Sequence, residues 1–431
     1  MQDPRQTAGY ALDALLKAGA DKAQCLLVQS DKHEMNVDSG ELSLLRTTFD
    51  TRLALTALQA HRKGSSSGNK SDPESVDRAV AECVSIAQAS QPDEANDIAG
   101  AQPREVFTTG ADAPDLDRMH FRLQELLEAI RTRYPKALLR QAFLDFTRTK
   151  SYFVNSNGVD FETHKGVYHC FLMFSSRENG KVSSFNYTGF ATRDLDRELI
   201  SCGSLDTLLR QSGEQTTTRP MQGKFVGDLI ITPDCLGDTL GFLVRSISDF
   251  AMISGTSIYK DSLGQEVASP RLTLHSRPVS DEICDGYFVT ADGHAAASST
   301  IVEEGVLKSF LLSLYGSRKT GKARAVNDGS AWVVDPGSTS LEDMVKSVKR
   351  GVLMARFSGG SPSINGDFSG VAKNSYLIED GRIAYPLSET MVSGNFAEML
   401  KSITAISSER VDYGEAILPW VAVSGVTISG K

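Results

Sequence analysis

The chain lacks the marks of several protein classes. Its six cysteines (Cys25, Cys83, Cys170, Cys202, Cys235 and Cys284) form no CxxC and no paired spacing. That excludes a disulfide framework and suits reduced thiols in a cytosolic protein. Positive charge is in deficit: 45 Lys and Arg face 54 Asp and Glu, for a formal net charge of −9. A general nucleic-acid binder needs a basic face, so no nucleic-acid partner is expected. No apolar run is long enough to span a bilayer, and the opening "MQDPRQTAGY" has no basic and apolar signal pattern. No membrane partner is expected, and the expected location is cytoplasmic.

What is present is an ordinary globular profile, 40% hydrophobic and 23% charged over 431 residues. That length is too great for one hydrophobic core and predicts two domains. Near the start, Ala8, Ala11, Leu12, Leu15 and Leu16 share a helical face, and residues 23–59 then alternate like strands. "RKGSSSGNKSD" reads as a flexible loop, and Pro73 opens a helix carrying Val76, Val80, Cys83, Val84 and Ala87 on one stripe. Residues 90–116 read as a surface connection. Residues 142–193 read as a meander with hairpin turns at Asn157-Gly158 and Asn179-Gly180. The polar, Gly- and Pro-containing stretch 211–224 reads as a linker. Beyond it come "FVGDLIIT", a helix opened by Pro233, and short strands with a few helices. The fold class is therefore α+β. Residues 1–215 form a domain of helices and antiparallel sheet, and residues 222–431 a β-rich domain, barrel-like or sandwich-like, with a few helices.

Candidate chemistry competes with plainer readings. His33-Glu34 is the only His-Glu pair, but "KHEMNVD" alternates like a strand and presents no helical metal face. His164, His169 and Cys170 fall within seven residues. His169 and Cys170 are adjacent on a strand and so point to opposite faces, which favours a plain hairpin over a zinc half-site. His294 lies near Asp292 and Ser298 without a GxSxG elbow, and reads as a turn histidine. The Gly/Ser loop 358–370 has neither GxGxxG nor GxxxxGK[ST], and a strand rather than a helix follows it. It suits a hairpin rim, or a wall that takes in an extended peptide by strand addition.

That loop opens the segment "GGSPSINGDFSGVAKNSYLIEDGRIAYPLSETMVSGNFAEMLKSI", which resembles the C-terminal signature of the TldD/PmbA family. There a GD(F/Y)S-G loop leads through a strand to E(D/N)G-I-YP, SE and an (A/S)GN helix start. "SIYKDSLGQEVASPRLTL" and "VEEGVLKSFLLSLYGSRKTG" are similar to its middle segments, and "ALDALLKAGADKAQCLLVQSDKHEMNVDSGEL" to its opening. The resemblance spans nearly the whole chain, most weakly at 142–193.

The resemblance implies one of two branches. TldD-like chains carry HExxxH on the helix after the first strand of the C-terminal domain, with a later cysteine as a further zinc ligand, and are zinc peptidases. PmbA-like (TldE) chains lack those ligands and pair with a TldD chain. Here the corresponding helix has no histidine or glutamate, no histidine occurs between His169 and His275, and no cysteine follows Cys284. By rough alignment Leu240, Gly241 and Arg245 stand at the motif positions. The resemblance thus implies a PmbA-like, non-catalytic subunit with no cofactor of its own. Zinc is expected in a TldD-like partner, and unstructured peptides or small proteins as substrates. Ser361, Asn365, Asp367 and Ser369 of the loop, with Glu389 and Asn395 beyond it, are the expected contacts to substrate or partner. The alternatives are a stand-alone homodimeric peptide-binding or regulatory protein, as older family names linked to DNA gyrase suggest, or a hydrolase built on Ser298, His294 and Asp292.

Overall fold

The computed structural model describes residues 3–430 apart from Gly360 and Glu389. Glu389, one of the expected contact residues, lies outside the described residues. The chain is α+β and its strands gather into two sheets.

The N-terminal sheet is built on four long strands. Lys22–Asp38, Glu41–Gln59, Ala137–Asn155 and Asp160–Glu178 each run 17–19 residues, and neighbours are antiparallel. Arg62–Gly68 closes one edge. Glu105–Thr109 pairs parallel with Asp160–Glu178, which also takes Asn186–Thr192. Alternation decides which face is covered. Cys25, Leu27, Met35, Leu53, Leu144, Phe146, Cys170 and Leu172 all point to the helix-covered face. Helices α1 (Pro4–Lys17) and α2 (Pro73–Ala89) pack at one end of it, and α3 (Leu116–Arg133) and α4 (Leu205–Glu214) at the other. The opposite face carries Lys32, Glu34, Phe143, Asp145, His169 and Phe171, and turns toward the C-terminal half.

The C-terminal sheet is mixed. Its central strand Lys224–Ile231 pairs parallel with Arg350–Met354 and antiparallel with Ile417–Ser429. Both faces of its end, Leu229–Ile231, are buried, which explains the unbroken "LII". Leu229 and Ile231 join the large core, whereas Ile230 packs with α8 (Leu341–Ser347) through Met344. Helices α5 (Pro233–Ser246), α6 (Asp249–Ile253), α7 (Leu314–Thr320) and α9 (Phe396–Lys401) complete the half.

Three stretches that read as loops are more ordered than their composition suggests. Residues 62–68 are the edge strand itself, and Gly64 is needed there because a Cβ would lie 2.0 Å from the Cys83 carbonyl. The 90–116 connection contains the strand Glu105–Thr109 and buries Ala95, Ile98 and Ala99. The 211–224 stretch is anchored at two points: Gln215 donates to the Ser375 carbonyl at 3.1 Å, and Met221 is in the C-terminal core, while residues 217–220 and 222–224 are exposed. Further contacts tie the halves together. Phe107 stacks on Phe288 at 5.0 Å, Tyr376 donates to Glu214 at 2.7 Å, and the Ala191 amide donates to the Tyr413 carbonyl at 2.8 Å.

Candidate functional site

Helix α5 starts at Pro233, whose fixed φ suits the first helical position. Of the three positions aligned with a metal motif, Leu240 is fully buried in the C-terminal core. Gly241 faces Trp332 and the Arg245 guanidinium, 3.9 and 3.0 Å from where a Cβ would sit, and Arg245 is exposed. None offers an imidazole or carboxylate, and two of the three do not share an accessible face. These residues do not fit a zinc ion.

On one side of α5 lies the Gly/Ser loop. It is the tip of a hairpin between the strands Arg356–Gly359 and Asp367–Lys373. Ser361 and Ile364 line a cavity of about 160 Å³ with Phe242, Arg245, Ser246 and Phe250. The structure brings Asn365, Asp367 and Asn395 together. Asn395 Nδ2 donates to Asp367 Oδ1 at 2.9 Å and to the Asn365 carbonyl at 2.8 Å, and Asn365 Nδ2 donates to Asp367 Oδ2 at 2.9 Å. Asn395 Oδ1 also accepts the Glu398 amide at 3.2 Å, capping α9. The hydrogen bonds from Asn395 and Asn365 hold the Asp367 carboxyl below its ordinary range. Ser369 is apart from this group, exposed on its strand opposite Ser393.

On another side of α5 is a larger cleft of about 620 Å³ that no sequence pattern announces. Phe171 and Tyr187 come to it from the N-terminal sheet, and Trp332, Tyr413 and Leu418 from the C-terminal half. Asp234, in the first turn of α5, lines it as an exposed side chain, and Thr188 Oγ1 donates to its Oδ1 at 3.3 Å. Asp285 lines the same cleft. It is ion-paired with Lys165 and with His169, whose Nε2 is 3.1 Å away. Burial works against its charge, but His169 and Lys165 prevail and hold it down at about 2.

The histidine candidates resolve into structural roles. The strand places Cys170 inside and His169 on the open face, where it bridges Asp145 at 3.2 Å and Asp285. Burial disfavours the His169 charge, yet its hydrogen bonds to Asp145 and Asp285 raise it to about 9. His164 binds Glu162 at 2.7 Å, and His33 sits on a strand beside Thr47. His294 Nδ1 meets Asp292 at 3.1 Å. Asp292 is also held by Arg324, by Thr290 and by the Leu314 amide, the pattern of a turn nucleus. Ser298 is exposed and makes no hydrogen bond to His294 among the described residues. No group of three or more His, Cys, Asp or Glu among the described residues could hold a metal ion. No helix there is long and apolar enough to cross a membrane.

Two models of one family match this chain. The PmbA/TldA metallopeptidase domain 1 matches residues 23–87, and the PmbA/TldA metallopeptidase C-terminal domain matches residues 223–430, together well over half of the chain. The metalloprotease PmbA of Escherichia coli O157:H7 is 26% identical over 443 residues, covering 95% of this chain and 94% of its own. A PmbA homologue from Buchnera aphidicola is 31% identical over 305 residues, 66% of this chain and 65% of its own. Among solved structures, TldE from Thermococcus kodakarensis superposes with a TM-score of 0.83 at 19% identity, over 98% of this chain and 100% of that one. A candidate modulator of DNA gyrase from Bacteroides thetaiotaomicron also gives 0.83, at 21% identity and full coverage of both chains. At such identities the two structural likenesses speak to the fold.

Proposed function

The chain belongs to the PmbA/TldD metallopeptidase family, and on that premise we propose that it is a non-catalytic subunit which pairs with a zinc-bearing TldD-type chain. One observation carries this reading. Helix α5 carries buried Leu240, Gly241 beside Trp332 and exposed Arg245 at the positions that the resemblance aligns with the two histidines and the glutamate of HExxxH. Without a bound metal, water is not brought to a nucleophilic state at neutral pH by this helix. The chain's contribution is then a wall of the peptide-handling chamber, with unstructured peptides or small proteins as the substrate class. The hairpin tip with Ser361, the Asn365–Asp367–Asn395 group and Ser369 is the part of this wall assigned to substrate or partner.

Size-exclusion chromatography of this chain mixed with a TldD-type chain, each fraction assayed on an unfolded protein substrate, tests the reading. The expected result is one mixed complex with activity that neither chain shows alone. Separate elution of the two chains, with activity unchanged by mixing, contradicts it.

A further inference from the structure

The strand Glu41–Gln59 is paired along one side and only partly along the other. Lys22–Asp38 runs beside nearly its whole length. On the outer side Arg62–Gly68 pairs with Leu53–Gln59 alone, because Asp72 and Pro73 then turn the chain into α2. Among the described residues no strand pairs with the outer edge of Leu44–Arg52, about 30 Å of strand at the usual rise. Such an edge offers a row of N–H and C=O groups to any other strand, and proteins blunt it with proline, a bulge or covering chain. Here there is no proline or glycine between Leu44 and Arg52, and the register shift at Asn36/Val37 falls before that stretch. Every residue of 41–50 is exposed, Leu45 at 61% and Phe49 at 75%. Those two fall on the helix-bearing side of the sheet, opposite Met35 and Asp31, but belong to neither core cluster that the helices build there.

The edge is complementary to itself. When two copies of one sheet edge meet about a two-fold axis normal to the sheet, each face stays continuous and one residue lies opposite its own copy. With Thr47 at the axis, Leu45 of each copy falls opposite Phe49 of the other. The two most exposed apolar side chains of the edge then cover each other twice. On the reverse face Arg46 and Asp50 of different copies become diagonal neighbours, within reach of a long side chain. Arg46 already holds Glu34 at 2.6 Å and is still exposed, and Asp50 has no ion pair among the described residues. Moving the axis to Arg46 sets two like charges opposite each other and leaves Phe49 against Ser43. Moving it to Thr48 sets Phe49 against Thr47 and Leu45 against Thr51. Of the three registers, the one centred on Thr47 serves both faces.

We propose that two copies of this chain join edge to edge through Leu44–Asp50, antiparallel, with Thr47 at the two-fold axis. This pairing draws on the chain's own strand and does not rest on the proposed subunit role.

Analytical ultracentrifugation of the full chain alone is expected to show a reversible dimer. The double variant Leu45→Glu, Phe49→Glu is expected to weaken self-association at least about a hundredfold, the value of the apolar surface it uncovers. Its melting temperature should stay that of the dissociated wild type, because both side chains are exposed. Register is tested by mild oxidation of two single variants, the native cysteines being buried or half-buried. Thr47→Cys, beside its own copy, is expected to give a disulfide-linked dimer, and Thr51→Cys, far from the axis, is expected to give none. A chain that stays monomeric at its highest soluble concentration overturns the proposal. So does a dimer that the double variant leaves intact, or equal cross-linking at the two positions. A monomeric chain whose edge is needed only for binding a TldD-type chain likewise overturns it, and gives the edge to that partner instead.

Discussion

The two sides of helix α5 differ in how their polar groups are satisfied. On the loop side, Asn365, Asp367 and Asn395 spend their hydrogen bonds on each other and on the α9 cap. On the cleft side, Asp285 of the C-terminal half is held by Lys165 and His169 of the N-terminal sheet, while Asp234 is exposed and takes one long hydrogen bond, from Thr188 at 3.3 Å. Residues that look functional because they are polar and clustered can be building a turn. Ion pairs that join the two halves leave no local mark in the sequence. The difference is set by geometry across the two sheets, not by residue type.

The comparison assumes that the cleft is a fixed junction between halves. Gly414 tests this most severely. It adopts φ +79°, and a Cβ there would lie 2.2 Å from the Ala191 carbonyl of the N-terminal sheet. Gly414→Val is expected to cost on the order of 3 kcal/mol, from backbone strain and separation of the halves. Urea unfolding that matches the wild type would show that the halves are not clamped there. Next in size is Leu240→His combined with Arg245→His. Burying an imidazole in the fully closed core at 240 is expected to cost about 2–4 kcal/mol. Inductively coupled plasma mass spectrometry is expected to find no stoichiometric zinc in the variant. Tight zinc binding without loss of thermal stability would mean that the helix is closer to a metal site than its packing implies.

The cation-served side of the cleft has its own pH signature. His169 is raised from an ordinary 6.5 to about 9, so its contribution is complete below 6.5 and is lost as pH rises through 9. Asp285 is lowered from 3.8 to about 2, so its contribution is complete above 3.8 and is lost as pH falls through 2. The pair therefore stabilises most between about pH 4 and 6.5. His169→Gln is expected to lower the melting temperature by several degrees near pH 6, with the gap to wild type narrowing above pH 9. A gap that does not depend on pH contradicts the assigned ion pairs. The smallest effect belongs to the loop side. Asn395→Ala removes a helix cap and two loop contacts, and is expected to cost about 1 kcal/mol and speed proteolysis within the hairpin tip. It should leave the pH dependence set by His169 and Asp285 intact, and a change in that dependence would join the two sides that the structure separates.

Local pattern reveals much of this molecule and misses its junctions. The stripes of α1 and α2 and the opposite orientations of His169 and Cys170 depend on periods of 3.6 or two residues, the turns at Asn157-Gly158 and Asn179-Gly180 on local turn chemistry, and these appear in the structure, except that Leu16 of the α1 stripe is exposed. The family signature of the 358–401 segment is likewise local. The hidden parts are those made by contact at a distance. Gln215 and Met221 read as linker because the Ser375 carbonyl and the C-terminal core that hold them are remote in sequence. The cleft draws Tyr187, Asp234, Trp332 and Tyr413 from four separated segments, so no spacing marks it. Asp234 is preceded by a helix-opening proline, and that alone suggests only a favourable charge in a first helical turn.

The central claim is that this chain has no catalytic zinc of its own and acts through a partner. The most direct test measures zinc by mass spectrometry in the purified chain and in its mixture with a TldD-type chain, with peptidase activity followed in both. The account predicts a metal-free, inactive chain alone and one zinc per mixed pair with activity. Stoichiometric zinc or cleavage by the chain alone would contradict it.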